Sequence, residues 1–185
     1  AGTTSYIGLP PALQGHNLRG LMKDHDGNLW VGSEGYAAAS LDQSGTWTVY
    51  DSSNSPVNNI VTAAVLDNQD NLWLSVAYTG LYKRTPQGEW IFYSPSASSF
   101  LCADDQNGDG FLDSEGNIWF VCGYHGVTEI TNDGRWVNYT SFGQVRRIFE
   151  DIEGDIWFGV GGGAVELLGN GEWNSFSGQP GLCDV

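Results

Sequence analysis

Short strand-like runs and turn residues alternate along the chain, and few windows show the 3.6-residue apolar spacing of an amphipathic helix. Between Asn59 and Ser94 four runs follow one another: NIVTAAVL, NLWLSV, GLYKRT and EWIFYS. Their β-branched and aromatic content fits strands packed on both faces, here named a, b, c and d. An Asp-x-x-Gly-Asn turn between a and b supplies side-chain oxygens for backbone donors and residues that tolerate positive φ.

The pattern repeats four times. DHDGNLWVG begins at Asp24, DNQDNLWLS at Asp67, DSEGNIWFV at Asp113 and DIEGDIWFG at Asp151. A second motif reads GTWTVY, GEWIFY, GRWVNY and GEWNSF, beginning at Gly45, Gly88, Gly134 and Gly171. All eight tryptophans fall into these two columns, separated within a repeat by 17, 17, 17 and 16 residues. Successive repeats are 43, 46 and 38 residues apart. Four-stranded units of this length are propeller blades. The expected fold is all-β: a β-propeller of four blades of four antiparallel strands, with the tryptophans packed between blades. The chain reads as one domain or as part of a larger propeller, with blades at about 18–51, 60–94, 99–140 and 145–177.

Both ends carry more than four blades need. TTSYIGLP resembles a d strand, with Tyr6 in the place of Tyr50, and SFSGQPGLCDV finishes a d strand and begins another a strand. A surplus terminal strand is expected, either because the chain is a piece of a longer propeller or because it pairs with another copy. Head-to-tail strand exchange would give a homo-oligomer or filament.

The composite D-x-x-G-N-[LI]-W-[VF]-G, then G-[LVY], then G-x-W-x-x-[YF], resembles the two-component regulator propeller repeat, with DHDGNLWVGS (Asp24–Ser33) the nearest match. The resemblance covers nearly the whole chain. It implies the propeller fold and a place among the extracytoplasmic sensor regions of hybrid histidine kinases and related secreted proteins. The membrane helix and kinase of those sensors do not occur in this sequence.

Asp and Glu outnumber Lys and Arg by 22 to 7, for a net charge of −15. Such a field repels nucleic acid and anionic membranes, so neither is an expected partner. No apolar run approaches the roughly 20 residues of a membrane span, so membrane insertion is not expected. The start AGTTSY, without an initiator Met, fits a mature secreted protein or a trimmed chain, and Asn138-Tyr139-Thr140 is a glycosylation sequon. An extracellular or periplasmic location follows from these readings. Cys102 on strand a and Cys122 on strand b of one blade can form a disulfide or stand as two small buried residues, and Cys183 could cross-link copies.

Blade 3 holds an acidic stretch. Trp90 to Asp105 spans 15 residues, as does Trp136 to Asp151, which makes Asp105 the repeat aspartate and residues 106–113 an insertion in the a–b hairpin. Oxygens from Asp105, Asn107, Asp109 and Asp113, with the main-chain carbonyl of Phe111 and a turn at Gly110, would then wrap a hard cation. The EF-hand's closing Glu is absent, Gly116 standing in its place. The loop is closer to the calcium loops of integrin-type propellers, and Ca2+ is expected as a structural ion.

The d–a and b–c connections share one face. Arg19 and Arg146 each lie five residues before a repeat aspartate, while Tyr78, Tyr124 and His125 lie in b–c loops. Forked donors and rings around a central depression suit carboxylated or neutral sugars; the alternative is a rim of structural salt bridges. None of His16, His25 and His125 has metal-pair spacing, and Gly159–Val165 lacks a P-loop lysine. The expectation is a binding or sensing module rather than an enzyme. The alternatives are a filament subunit and, by fold analogy, a propeller lyase or lactonase.

Overall fold

One aspartate closes the a–b hairpin of every blade. Asp24 accepts the backbone N–H of Asn28 at one carboxylate oxygen (2.7 Å) and the indole N–H of Trp30 at the other (2.8 Å). Asp67 does the same for Asn71 and Trp73, Asp113 for Asn117 and Trp119, and Asp151 for Asp155 and Trp157. Each turn also pairs the aspartate N–H with the carbonyl four residues on. Its fourth position must be left-handed, and Gly27, Gly116 and Gly154 take it at φ 86–87°. Blade 2 uses Asp70 there, at φ 58°. Asp70 earns a contact in return: its carboxylate accepts the His25 backbone N–H (3.1 Å) and meets His25 Nδ1 at 2.6 Å, tying adjacent turns together.

The computed structural model describes residues 7–35, 37–95, 108–141 and 143–177. Blade 1 comprises β1 (Leu18–Lys23), β2 (Leu29–Ser33), β3 (Ala37–Leu41) and β4 (Trp47–Tyr50). Blade 2 comprises β5 (Val61–Leu66), β6 (Leu72–Val76), β7 (Gly80–Arg84) and β8 (Trp90–Tyr93). Blade 3 has β9 (Asp109–Leu112), β10 (Ile118–Val121), β11 (Val127–Ile130) and β12 (Trp136–Tyr139). Blade 4 has β13 (Val145–Glu150), β14 (Ile156–Val160), β15 (Gly163–Leu167) and β16 (Trp173–Ser177). Every sheet is antiparallel with its strands in sequence order, so the fold is a four-bladed β-propeller.

The strands are apolar on both faces because each blade packs against its neighbours. Trp30, Ala38 and Val57 meet Val61, Leu72, Leu74 and Tyr82 between blades 1 and 2. Val65, Trp73 and Leu81 meet Ile118, Phe120 and Ile130 between blades 2 and 3. Trp119, Val121 and Val127 meet Val145, Ile148 and Phe158 between blades 3 and 4. Among the described residues no core cluster joins blade 4 to blade 1; the outer face of blade 1 is partly covered by Leu9 and Leu13. Of the stretches TTSYIGLP and SFSGQPGLCDV, from which one surplus terminal strand is expected, residues 1–6 and 178–185 lie outside the described residues, and residues 7–10 form no strand.

Blade 3 corrects the sequence reading. Its strand a is β9, and its repeat aspartate is Asp113, not Asp105. The extra residues therefore lie in the connection from β8 to β9 rather than inside the a–b hairpin. The reason is physical. Hydrogen bonds fix the six residues from aspartate to tryptophan, whereas the Trp-to-Asp stretch through the d–a connection varies as 20, 23 and 15 residues.

Blade 4 departs from the turn chemistry at one atom. Asn28, Asn71 and Asn117 donate a side-chain N–H to their repeat aspartate at 2.9, 2.8 and 2.9 Å. Asp155 cannot, and its carboxylate stands within 4.8 Å of those of Asp151 and Glu166. Asp155→Asn should stabilise the protein by about 1 kcal/mol in urea melts, since it adds a donor while still accepting from Gly169. Asp113→Ala should cost about 3 kcal/mol, because it strands the Trp119 indole N–H in a site where Trp119 is 2% exposed. The Trp157 indole N–H foremost, with backbone donors, holds Asp151 below its ordinary value of 3.8. Its stabilising contribution is complete above that value and is lost as pH falls through the lower folded one, so acid should weaken blade 4. Fluorescence of unfolding against pH, compared with Asp151→Asn, checks this.

Candidate functional site

A β-bulge interrupts strand a in three blades, between Arg19 and Met22, Val61 and Ala63, and Val145 and Arg147, so that Thr62 and Arg146 fall in the bulge and Arg19 immediately precedes it. Bulges re-aim side chains. The residue five before each repeat aspartate is Arg19, Thr62, Gly108 or Arg146. These positions converge: Arg19, Gly108, Gln144, Arg146 and Arg147 line a cavity of about 350 Å³, and a Cβ on Gly108 would stand 3.0 Å from Thr62 Oγ1.

Three of the chain's seven cationic side chains thus face one cavity in a protein of net charge −15. They differ in what holds them. Arg19 is clamped by Glu34, with Nε 2.9 Å from Oε1 and Nη2 on the same oxygen, and Asn17 donates to Oε2 at 2.8 Å. The Arg19 guanidinium, then the Asn17 amide, holds the Glu34 carboxyl below its ordinary value. Arg147 lies 3.9 Å from Asp109, whose carboxyl is pushed up by burial against the opposing pull of that guanidinium. Arg146 donates to the Gln144 side-chain oxygen at 3.0 Å and meets no carboxylate within 4 Å among the described residues.

Of the residues expected here, the structure brings Arg19 and Arg146 together at the cavity. Tyr78, Tyr124 and His125 sit at the same end of the blades but on exposed b–c turns, and they do not line it. Tyr78 holds a left-handed backbone at φ 58°. Arg147 and Gln144 were missed. Arg147 is displaced by the bulge in β13, which no single-strand alternation rule anticipates, and Gly108 was hidden by the misassigned repeat aspartate.

The calcium set does not assemble as read. Asp109 and Phe111 belong to β9, paired with Val121 and Trp119, so Asp109 and Asp113 stand at opposite ends of a strand. Four residues of strand separate them by about 13 Å, far beyond one coordination sphere. The Asp113 carboxylate is already taken by Asn117 and Trp119. Asp105 and Asn107 lie outside the described residues. Gly110 is not a turn glycine either: a Cβ there would lie 2.6 Å from Val65 Cγ2, so its bareness lets β9 approach β5. Cys122 is disulfide-bonded, while Cys102 and Cys183 lie outside the described residues. Asn138 stands on β12, its side-chain oxygen accepting from Thr128 Oγ1 at 2.9 Å.

Four antiparallel blades and one repeated turn define a β-propeller, and comparisons with known proteins bear on which kind. The family model "Two component regulator propeller" matches residues 12–35. Comparison with curated sequences finds no match. Among solved structures, the extracellular domain of a hybrid two component system from B. thetaiotaomicron superposes with TM-score 0.78 at 18% identity, covering 94% of this chain and 24% of that one. A streptogramin B lyase gives TM-score 0.71 at 17% identity, covering 94% of this chain and 58% of that one. Virginiamycin B lyase from Staphylococcus aureus gives 0.67 at 16% identity, covering 86% and 55%. The chain therefore spans under two thirds of each. At these identities the likeness establishes the fold. Among the described residues no helix is long and apolar enough to cross a membrane.

Strand packing at Gly110 carries a test. Gly110→Ala should lower stability by about 1 to 3 kcal/mol by overpacking against Val65. The loss should be equal with calcium and with chelator. A loss seen only with calcium would restore Gly110 to a metal loop.

Proposed function

We propose that this chain is an extracytoplasmic binding or sensing propeller whose axial cavity receives an anionic ligand, with carboxylated saccharides the favoured class. The observation that carries this reading is the gathering of Arg19, Arg146 and Arg147 at one cavity of a strongly acidic chain. Arginines scattered for solubility would not converge, and Arg146 offers its guanidinium fork without a carboxylate partner among the described residues. Arg19 is a fixed part of the wall, positioned by Glu34.

Binding rather than turnover suits the lining. Arginine and glutamine orient and neutralise an anion, but at neutral pH they offer neither a general base nor a nucleophile. The likeness to sensor domains supports the same reading, as does the Cys122 disulfide, which belongs to an oxidising compartment. The lyase relatives supply the competing reading.

Calorimetry with a galacturonic acid trimer and its neutral galactose counterpart tests the proposal. The uronate should bind, more weakly as salt rises, and the neutral sugar should not. Arg146→Gln with Arg147→Gln should weaken uronate binding about tenfold or more with the melting temperature unchanged. Equal affinity in the double variant would sink the assignment of the cavity. Turnover of a streptogramin by the purified protein would overturn the non-catalytic reading.

A further inference from the structure

The three blade contacts inside this chain repeat one arrangement. The strand-b tryptophan stacks on the strand-d tyrosine of its own blade: Trp30 on Tyr50 at 5.5 Å, Trp73 on Tyr93 at 5.5 Å and Trp119 on Tyr139 at 5.7 Å. The strand-d tryptophan of the following blade then closes on that tyrosine. Trp90 lies 6.1 Å from Tyr50, Trp136 5.4 Å from Tyr93 and Trp173 5.4 Å from Tyr139.

Blade 4 builds the first half of the arrangement again. Trp157 stacks on Phe176 at 5.3 Å and is bonded to Asp151 like its counterparts. Yet the strand-a residue opposite this tryptophan, Phe149, is 60% exposed, whereas Val65 at the same position of blade 2 is 5% exposed. Blade 1 presents the other half. Leu18 corresponds to Val61 and Val145, and it is 41% exposed where they are 0% and 1%. Leu21 corresponds to Ala64 and Ile148, and it is 74% exposed where both are 8%. Each open position is apolar in a chain whose surface is otherwise strongly acidic.

We propose that the open face of blade 4, centred on Phe149 and Trp157, docks onto the open face of blade 1, at Leu18 and Leu21, of a second copy of this chain. The contact continues the interface that the chain already makes three times within itself. It buries side-chain faces and requires no exchange of strands. Because the two surfaces differ, the contact is heterologous: two four-bladed chains close on one another or further copies add in a row. Copies of net charge −15 repel, so added salt should strengthen the assembly, opposite to its effect on anion binding.

Sedimentation velocity on the full chain tests this. The wild type should sediment as a dimer or larger species, above the 20.0 kDa of one chain. Phe149→Glu and Leu21→Glu should each give a monomer with an unchanged melting temperature, both sites being exposed. Mixed together, they should form a one-to-one heterodimer, since one variant keeps its blade 1 face and the other its blade 4 face. A wild-type monomer at all concentrations would overturn the proposal. So would an assembling wild type whose two variants fail to complement. Hydrogen exchange supplies a final arm: a monomer with the Phe149 strand protected would mean that the chain's own first blade fills the face, again overturning docking by a second copy.

Discussion

Everything in this fold hangs on a carboxylate shared between a turn and an indole. The repeat aspartate sets the shape of the a–b hairpin through backbone donors and, through the same side chain, fixes the tryptophan that fills the gap to the next blade. Local turn formation and long-range packing are therefore one interaction. A buried indole N–H without an acceptor is costly, so the tryptophan cannot rotate away while the turn stays formed. Registration of the strands, the stacking of Trp30 on Tyr50 and its counterparts, and the spacing between blades all follow from that bond.

The same economy explains how so acidic a chain holds a cationic cavity. Several carboxylates are engaged by turns: Asp24, Asp42, Asp51 and Asp67 each accept two or more donors from their own neighbourhood. Arginine is placed where the bulge in strand a turns a side chain to the axis, and Glu34 immobilises one of the three. The charge lining the cavity is thus opposite in sign to that of the chain as a whole.

The fold was legible because its signals are short and geometrically forced. Six residues from aspartate to tryptophan is a distance set by hydrogen bonds, and it reads correctly in all four blades. The connections between blades obey no such constraint, and trusting one of them moved the repeat aspartate of blade 3 from Asp113 to Asp105. That shift drew Asp109 and Phe111, which belong to β9, into an expected metal loop. It also turned Gly110, which is bare so that Val65 can approach, into a turn glycine. Arg19 and Arg146 were found because they keep a fixed distance from their aspartates. Arg147 and Gln144 were not, since a bulge breaks the alternation by which side-chain direction is inferred. The bond between His25 and Asp70 was invisible for another reason: it joins two turns 45 residues apart.

The bulge has a consequence for how recognition can change. Blades 1, 3 and 4 build the cavity wall through Arg19, Gly108 and the Gln144–Arg147 segment, while Thr62 of blade 2 is buried behind it and bonded to Ser75. Gly108 lines the wall without charge, against Thr62 and beside Arg19 and Arg146. The cationic part of the wall is thereby carried by residues outside the tryptophan columns that hold the blades together. One could recode the three arginines in turn, charge by charge, while the tryptophan columns kept the scaffold intact.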